Sequence, residues 1–256
     1  MPAGEPWSDD DFFMQPVQKI PKRDQPPAAV KSIRAKFKEL MQQPDPNGDG
    51  TIGAAKTGVY AFFDYDDEPI YVGQTSSSFS DRVGRHLTGQ RSDAVAKFIL
   101  DPFEVATISM WSVPSIAVAP SAKDPEKKAT AAEKRVMLNP YEYTVYLQLE
   151  KASRFHAVLN EGEIHATEEV ELPIPVRGRI IPDELWEDRK HSDIRIARRA
   201  ATISRLSQMI SEREVSGGMR RTLLLQAKRL AWLAEKRIVE VGAQVPDAED
   251  REITDD

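Results

Sequence analysis

The chain has 256 residues, no cysteine and a formal net charge of −6. The missing cysteines exclude disulfide staples, thiolate metal sites and a cysteine nucleophile, and leave any metal to oxygen or imidazole ligands. The N-terminus lacks the basic and apolar regions of a secretion signal, and no apolar run approaches the roughly 20 residues of a membrane span, so a soluble cytoplasmic protein with no membrane partner is expected.

Residues 1–50 read as a polar, proline-rich leader and one helix, Ala28 to Gln42, with Val30, Ile33, Phe37 and Leu40 at helical spacing. The stretch Asp45-Pro46-Asn47-Gly48-Asp49-Gly50-Thr51-Ile52 resembles the first half of an EF-hand loop. Position twelve, where a bidentate glutamate belongs, is Lys56, and a strand follows, so a plain turn is the preferred reading over a calcium-responsive role. Val59 to Phe63 and Pro69 to Val72, joined across the acidic turn Asp64 to Glu68, predict a β-hairpin. Helices are expected over Ser80–Leu87 and Ser92–Leu100, a third strand over Val105–Trp111 and a loop over Pro114–Lys128. Asn139-Pro140 suggests the N-cap and first position of a helix running to about Ala152. Glu171 to Pro182, interrupted by prolines, looks extended.

The C-terminal part predicts a helical hairpin. Ile196, Ala200, Ile203, Leu206 and Ile210 form one apolar stripe, Leu223, Ala227, Leu230, Ala234 and Ile238 another, and Gly217-Gly218 divides them. Charge is segregated here: Arg189 to Arg237 carries thirteen basic and four acidic residues, a segment of +9 in a chain whose other residues sum to −15. A connected basic face including Arg198, Arg199, Arg205, Arg220, Arg221, Lys228 and Arg229 would suit DNA phosphates. Homo-oligomerisation through the apolar stripes is the rival use, and a plain solvated surface the bland one.

Three short motifs occur in order: Gly58-Val59-Tyr60, Tyr71-Val72-Gly73-Gln74-Thr75 and Arg82-Val83-Gly84-Arg85-His86. Each is weak alone; the ordered set is specific. Tyr60 and Tyr71 fall on neighbouring strands, where their hydroxyls can converge, and Arg82 and His86 at i, i+4 share a helix face. Gly73 permits a tight turn or a close backbone approach. Phosphodiester hydrolysis requires a base for water, positive charge on the phosphorane and stabilisation of the leaving oxygen. An arginine supplies the second requirement and a metal ion the third.

The ordered set resembles the GIY-YIG nuclease superfamily over about residues 51–160, with valine in place of isoleucine in both triplets. That resemblance implies an α+β domain, a three-stranded antiparallel sheet flanked by helices, here with a C-terminal helical hairpin added. The boundaries expected are a leader and helix over 1–50, the nuclease-like domain over 51–165, the extended segment and basic hairpin over 166–245 and an acidic tail over 246–256. The resemblance further implies a DNA endonuclease using one divalent ion, Mg²⁺ or Mn²⁺. In it Tyr60 is the general base and Tyr71 orients water or phosphate. Arg82 binds the scissile phosphate and His86 contacts phosphate or moves a proton, while Gly73, Arg85 and Asn160 belong to the substrate site.

The family's metal ligand is a helical glutamate, for which Glu142 is the first choice and Glu133 the competitor. Glu142 to Asn160 spans eighteen residues, longer than the family's usual separation, and Glu142 could instead close a capping box with Asn139. His156, His165 and His191 have no ligand-like spacing and read as surface residues. The competing function is a fold of this kind that binds nucleic acid without cutting it.

Overall fold

The computed structural model describes residues 26–87, 101–160, 164–215 and 217–244. The helix expected over 92–100, most of the leader and the acidic tail lie outside the described residues. Helix α1 (Ala28–Met41) precedes strands β1 (Gly58–Phe63) and β2 (Pro69–Thr75), followed by α2 (Phe79–Leu87), β3 (Thr107–Ser112) and a short α3 (Pro114–Val118). The long α4 (Ala131–Ala152), β4 (Val176–Arg179), α5 (Asp183–Lys190), α6 (Ser192–Glu212) and α7 (Gly217–Glu240) complete the order. No helix among them is long and apolar enough to cross a membrane.

The sheet is antiparallel with order β2-β1-β3-β4. Every residue of β1 is buried because β1 is central and both faces of the sheet are covered. Side chains alternate along a strand, so Tyr60 and Phe62 enter one core, with Leu40 of α1, Phe79 and Val83 of α2, and Leu206 and Leu225 of the hairpin. Val59, Ala61 and Phe63 enter the other, with Val72, Trp111 and Val145 of α4. The unbroken apolar run of β1 is therefore the signature of a doubly covered strand.

Three expectations need correction. The sheet has four strands, not three: Val176–Arg179, read as part of an extended extension, pairs with β3 through Ile108 opposite Gly178. Prolines 173 and 175 stop just short of the paired residues, and Gly178 leaves room for Leu40 of α1, whose Cδ1 would lie 2.5 Å from an added Cβ. Helix α4 starts at Ala131, not Asn139. Its cap is Thr130, whose hydroxyl accepts from the Glu133 amide at 3.3 Å while Glu133 accepts from the Thr130 amide at 2.7 Å. Pro140 sits inside the helix and offers no N–H to the carbonyl of Val136, a residue 68% exposed, so water can satisfy that carbonyl. Pro114–Lys128 also contains the short α3.

The hairpin of α6 and α7 forms as expected, with Gly217 opening α7. Its basic residues do not make one exposed face. Arg195, Arg199 and Arg229 are buried against the β1–β2 hairpin and its neighbours. Arg195 donates to Asp64 at 3.0 Å, to Glu104 at 3.3 Å and to Asp66. Arg199 donates to Glu104 at 2.8 Å, Arg229 to the Pro69 carbonyl at 2.7 Å and to Glu68 at 3.4 Å, and Lys236 to Asp66. Arg198 pairs with Asp101 while lying over the Phe103 ring. Five of the segment's thirteen cations, Arg195, Arg198, Arg199, Arg229 and Lys236, are thus paired with the acidic β1–β2 turn and its neighbours.

The Asp45 loop is a closed turn. The Asp45 carboxylate is buried and accepts from the Asn47 amide at 3.0 Å and from Ser112. Asn47 in turn clamps the backbone of Ile174, donating to its carbonyl and accepting from its amide.

Two stability outcomes follow from these contacts. Arg195→Ala leaves three carboxylates without their shared cation and should lower stability in urea unfolding by about 3–5 kcal/mol. Arg198→Ala, at a half-exposed pair, should cost no more than about 1 kcal/mol. The hydrogen bonds from the Thr130 amide, then Ser121 and the other donors, hold Glu133 down to about 2 from the ordinary 4.5. A depressed carboxylate stabilises above its unfolded pKa and stops doing so as pH falls through its folded one. Glu133→Gln should therefore lower the Tm at pH 7 and match the parent protein near pH 2.

Candidate active site

The β1–β2 register sets the site. Tyr60 lies opposite Gly73, and Phe62 opposite Tyr71, so the two tyrosines are diagonal neighbours on one face with ring centroids 6.1 Å apart. A Cβ at Gly73 would stand 2.8 Å from the Tyr60 hydroxyl and 2.7 Å from Tyr71 Cε1. Only glycine lets both rings close over the strand.

Helix α2 begins with Ser78 capping the Asp81 amide at 3.1 Å, and its next turns carry Arg82 and His86 to the tyrosines. Arg82 Nε donates to the Tyr60 hydroxyl at 3.3 Å. The Tyr60 hydroxyl lies 2.7 Å from His86 Nε2. With Arg82 donating to its oxygen, the Tyr60 hydroxyl can give its own proton to His86 Nε2 when the neutral imidazole carries its hydrogen on Nδ1. Tyr71 hydrogen-bonds to Tyr60 as well. Burial pushes the Tyr60 phenol well above its ordinary pKa, Tyr71 adds to this, and Arg82 only partly offsets it. Burial works against the charge of Arg82, but the surrounding tyrosines and Glu142 outweigh it, and the guanidinium holds its proton more tightly than usual.

A cavity of about 310 Å³ opens in front of this network, bordered by Tyr71, Gly73, Gln74, Arg82, Arg85, Arg135 and Glu142 among others. Tyr60 and His86 lie behind it: Tyr60 is 0% exposed and His86 3%. His86 is thus placed to exchange a proton with Tyr60, and only Arg82 and Arg85 of its helix reach the cavity. Arg85 is exposed and donates to the Asp81 carbonyl at 3.3 Å.

Glu142 projects from the middle of α4, and the capping role open to it in the sequence belongs to Glu133. Glu133, bonded to Thr130, Ser121 and Ala122, is fully occupied at the helix start. Burial raises the pKa of Glu142, while Gln74 and the charges of Arg82 and His165 pull it down less strongly. His165, though exposed, therefore belongs to the electrostatic surroundings of Glu142, whereas His156 and His191 are the surface residues expected.

Two contributors were not singled out from the sequence. Gln74 follows Gly73 within the second motif and donates at 2.8 Å to both Asn139 and Glu142, leaving its Oε1 buried without a partner. Arg135 stands on the cavity rim two turns before Glu142. Arg135 was findable by helical periodicity once Glu142 was chosen, whereas Gln74, three residues after Tyr71, lies on the other face of β2 with Val72 and was not. Asn160 is elsewhere. Its carboxamide accepts from the Val72 amide at 3.1 Å and donates to the Val72 carbonyl at 2.8 Å, closing the free edge of β2 behind Tyr71.

A carboxylate, an orphaned carboxamide oxygen and a cavity for water fit a hard cation such as Mg²⁺, which keeps much of its own hydration. Among the described residues no group of three or more His, Asp or Glu could hold a metal, so Glu142 would be the one charged ligand.

No curated protein and no solved structure matches the chain. Residues 56–136 match the model of the GIY-YIG catalytic domain, a stretch that contains Tyr60, Tyr71, Arg82 and His86 and stops before Glu142, and the match indicates a nuclease-type fold there.

Proposed function

We propose that this protein is a divalent-metal-dependent endonuclease that hydrolyses DNA phosphodiester bonds in the cavity between β2, α2 and α4. One observation carries the reading: Tyr71, Arg82 and Glu142, from three separate elements, border one cavity with the Tyr60–His86 pair directly behind it.

Arg82 binds the scissile phosphate, with Arg85 and Arg135 supplying further positive charge at the rim. Glu142, with the free oxygen of Gln74, would hold the cation. Bound there, Mg²⁺ or Mn²⁺ stabilises the charge developing on the leaving oxygen.

The attacking water loses its proton through the tyrosines. Tyr71, on the cavity wall, accepts it while passing its own proton to Tyr60, and Tyr60 passes its proton to His86 Nε2. No phenolate accumulates, which answers the difficulty that burial makes Tyr60 a poor free base. The imidazolium returns its proton along the same path when the product has left. The burial of Tyr60 also favours a second reading, a domain that binds DNA without cutting it.

Purified protein should nick supercoiled plasmid with Mg²⁺ or Mn²⁺ and not with EDTA. Arg82→Ala and Glu142→Gln, with unchanged circular dichroism, should lower the cleavage rate by about 100-fold or more. Glu133→Gln should cut at the parent rate, and Tyr60→Phe should break the proton path and abolish cutting. Because the ionised form of Glu142 is the one that holds a cation and its pKa is raised, cleavage should be present above that pKa and disappear on acidification before the ordinary carboxylate range is reached. A folded Arg82→Ala protein that cuts normally would remove Arg82 from the chemistry, and a parent protein that binds DNA and never cuts it would establish the second reading.

A further inference from the structure

The face of α4 that carries Glu142 continues into a second recess. Arg135, Asn139, Glu142, Tyr146 and Glu150 recur every three or four residues and form one stripe along the helix. Tyr146 and Glu150 wall a cavity of about 510 Å³, closed by Phe155 on one side and by Arg221, Leu224 and Lys228 of α7 on the other. At 1.5 Å per residue, Tyr146 lies about 6 Å and Glu150 about 12 Å along the helix from Glu142. A stacked strand covers that distance in about two to four nucleotides.

The chemistry of this recess is graded. Its interior offers the rings of Tyr146 and Phe155 and an apolar wall from Leu224 and its neighbours. Glu150, held by the Tyr146 hydroxyl at 2.9 Å, makes the same interior hostile to an anion. The cations Arg221 and Lys228 come from the exposed side of α7, and Lys228 has no ion pair among the described residues. Flat, uncharged and aromatic inside with a phosphate at the cations is the pattern of a nucleotide. The Asn160 carboxamide on the wall is already committed to Val72, so little is left to read base edges. Stacking tolerates every base.

We infer that the cavity between α4 and α7 is a subsite for one unpaired nucleotide of the DNA strand being cut, its base against Tyr146 and Phe155 and its phosphate at Lys228 and Arg221. The inference rests on the nuclease reading and adds that the substrate is DNA with an unpaired nucleotide a few positions from the cleaved bond. The hairpin thus contributes to DNA recognition through Arg221 and Lys228 rather than through a general basic face.

The test is the affinity of the full chain, in EDTA, for a duplex with one unpaired 2-aminopurine and for the same duplex fully paired. The unpaired probe should bind at least about fivefold tighter, the lower end of one stacked base, with its fluorescence quenched. Lys228→Glu and Leu224→Glu, both at exposed positions, should bring the ratio near one and abolish the quenching. Lys127→Glu, remote in the α3–α4 loop, should leave both unchanged. Equal affinity of the parent protein for the two probes overturns the subsite, as does a ratio that survives in both pocket variants. Plasmid cleavage by the same preparation separates the two ideas: cutting with equal affinities removes the subsite alone, and neither binding nor cutting removes the nuclease reading as well.

Discussion

The buried ion cluster between the β1–β2 turn and the C-terminal hairpin is the constraint on which the rest of the molecule depends. Asp64 lies at the end of β1, and its carboxylate accepts the Asp66 and Glu68 amides at 2.9 and 3.1 Å as well as the Arg195 guanidinium. One group therefore both shapes the turn and anchors α6. Burying so many charges costs several kcal/mol per ion, recovered only where geometry is good and the other lone pairs are satisfied. Such a cluster is a weak source of stability but a strong source of specificity, because any other placement of the hairpin leaves these carboxylates unpaired in an apolar setting.

From that turn the site follows by register. A slip of one residue between β1 and β2 would send Tyr60 and Phe62 to the opposite core and bring Val59 and Ala61 to the tyrosine side. The turn fixes the pairing of Tyr60 with Gly73, the glycine admits both rings, and Asn160 closes the outer edge of β2. Arg82 and His86 then meet the phenol from α2 because Phe79 and Val83, on the same helix, are pinned in the same core. The tyrosine–arginine–histidine arrangement is thus a by-product of one hairpin and one helix face, with Glu142 brought over the edge strand by α4 and secured by Gln74.

Local chemistry was legible in the sequence and long-range pairing was not. The apolar runs, the acidic turn, the two helical stripes and the ordered motifs identified both strands of the hairpin, the hairpin helices and the tyrosine–arginine–histidine group. The start of α4 was misplaced because Asn139-Pro140 imitates a helix beginning, while Thr130 and Glu133, the real capping box, carry the same residue chemistry with no apolar run directly after them. The strand at Val176–Arg179 is short and nearly polar, and only its partner β3 identifies it. The basic segment misled for a related reason. A count of charges along a chain does not say which are spent inside it, and Arg195 finds Asp64 across 131 positions of sequence.

Under the proposed nuclease function, the same accounting bears on how an acidic chain of net −6 would approach DNA at all. Net charge sets the distant field, but a phosphate within a Debye length, about 8–10 Å at ordinary salt, responds to local groups. The hairpin's inner arginines are spent on Asp64, Asp66, Glu68 and Glu104, in and beside the β1–β2 turn. What remains near the cavity is Arg82, Arg85 and Arg135 against a single Glu142, a carboxylate suited to a divalent cation. The cavity is therefore locally positive in a chain whose composition argues the opposite.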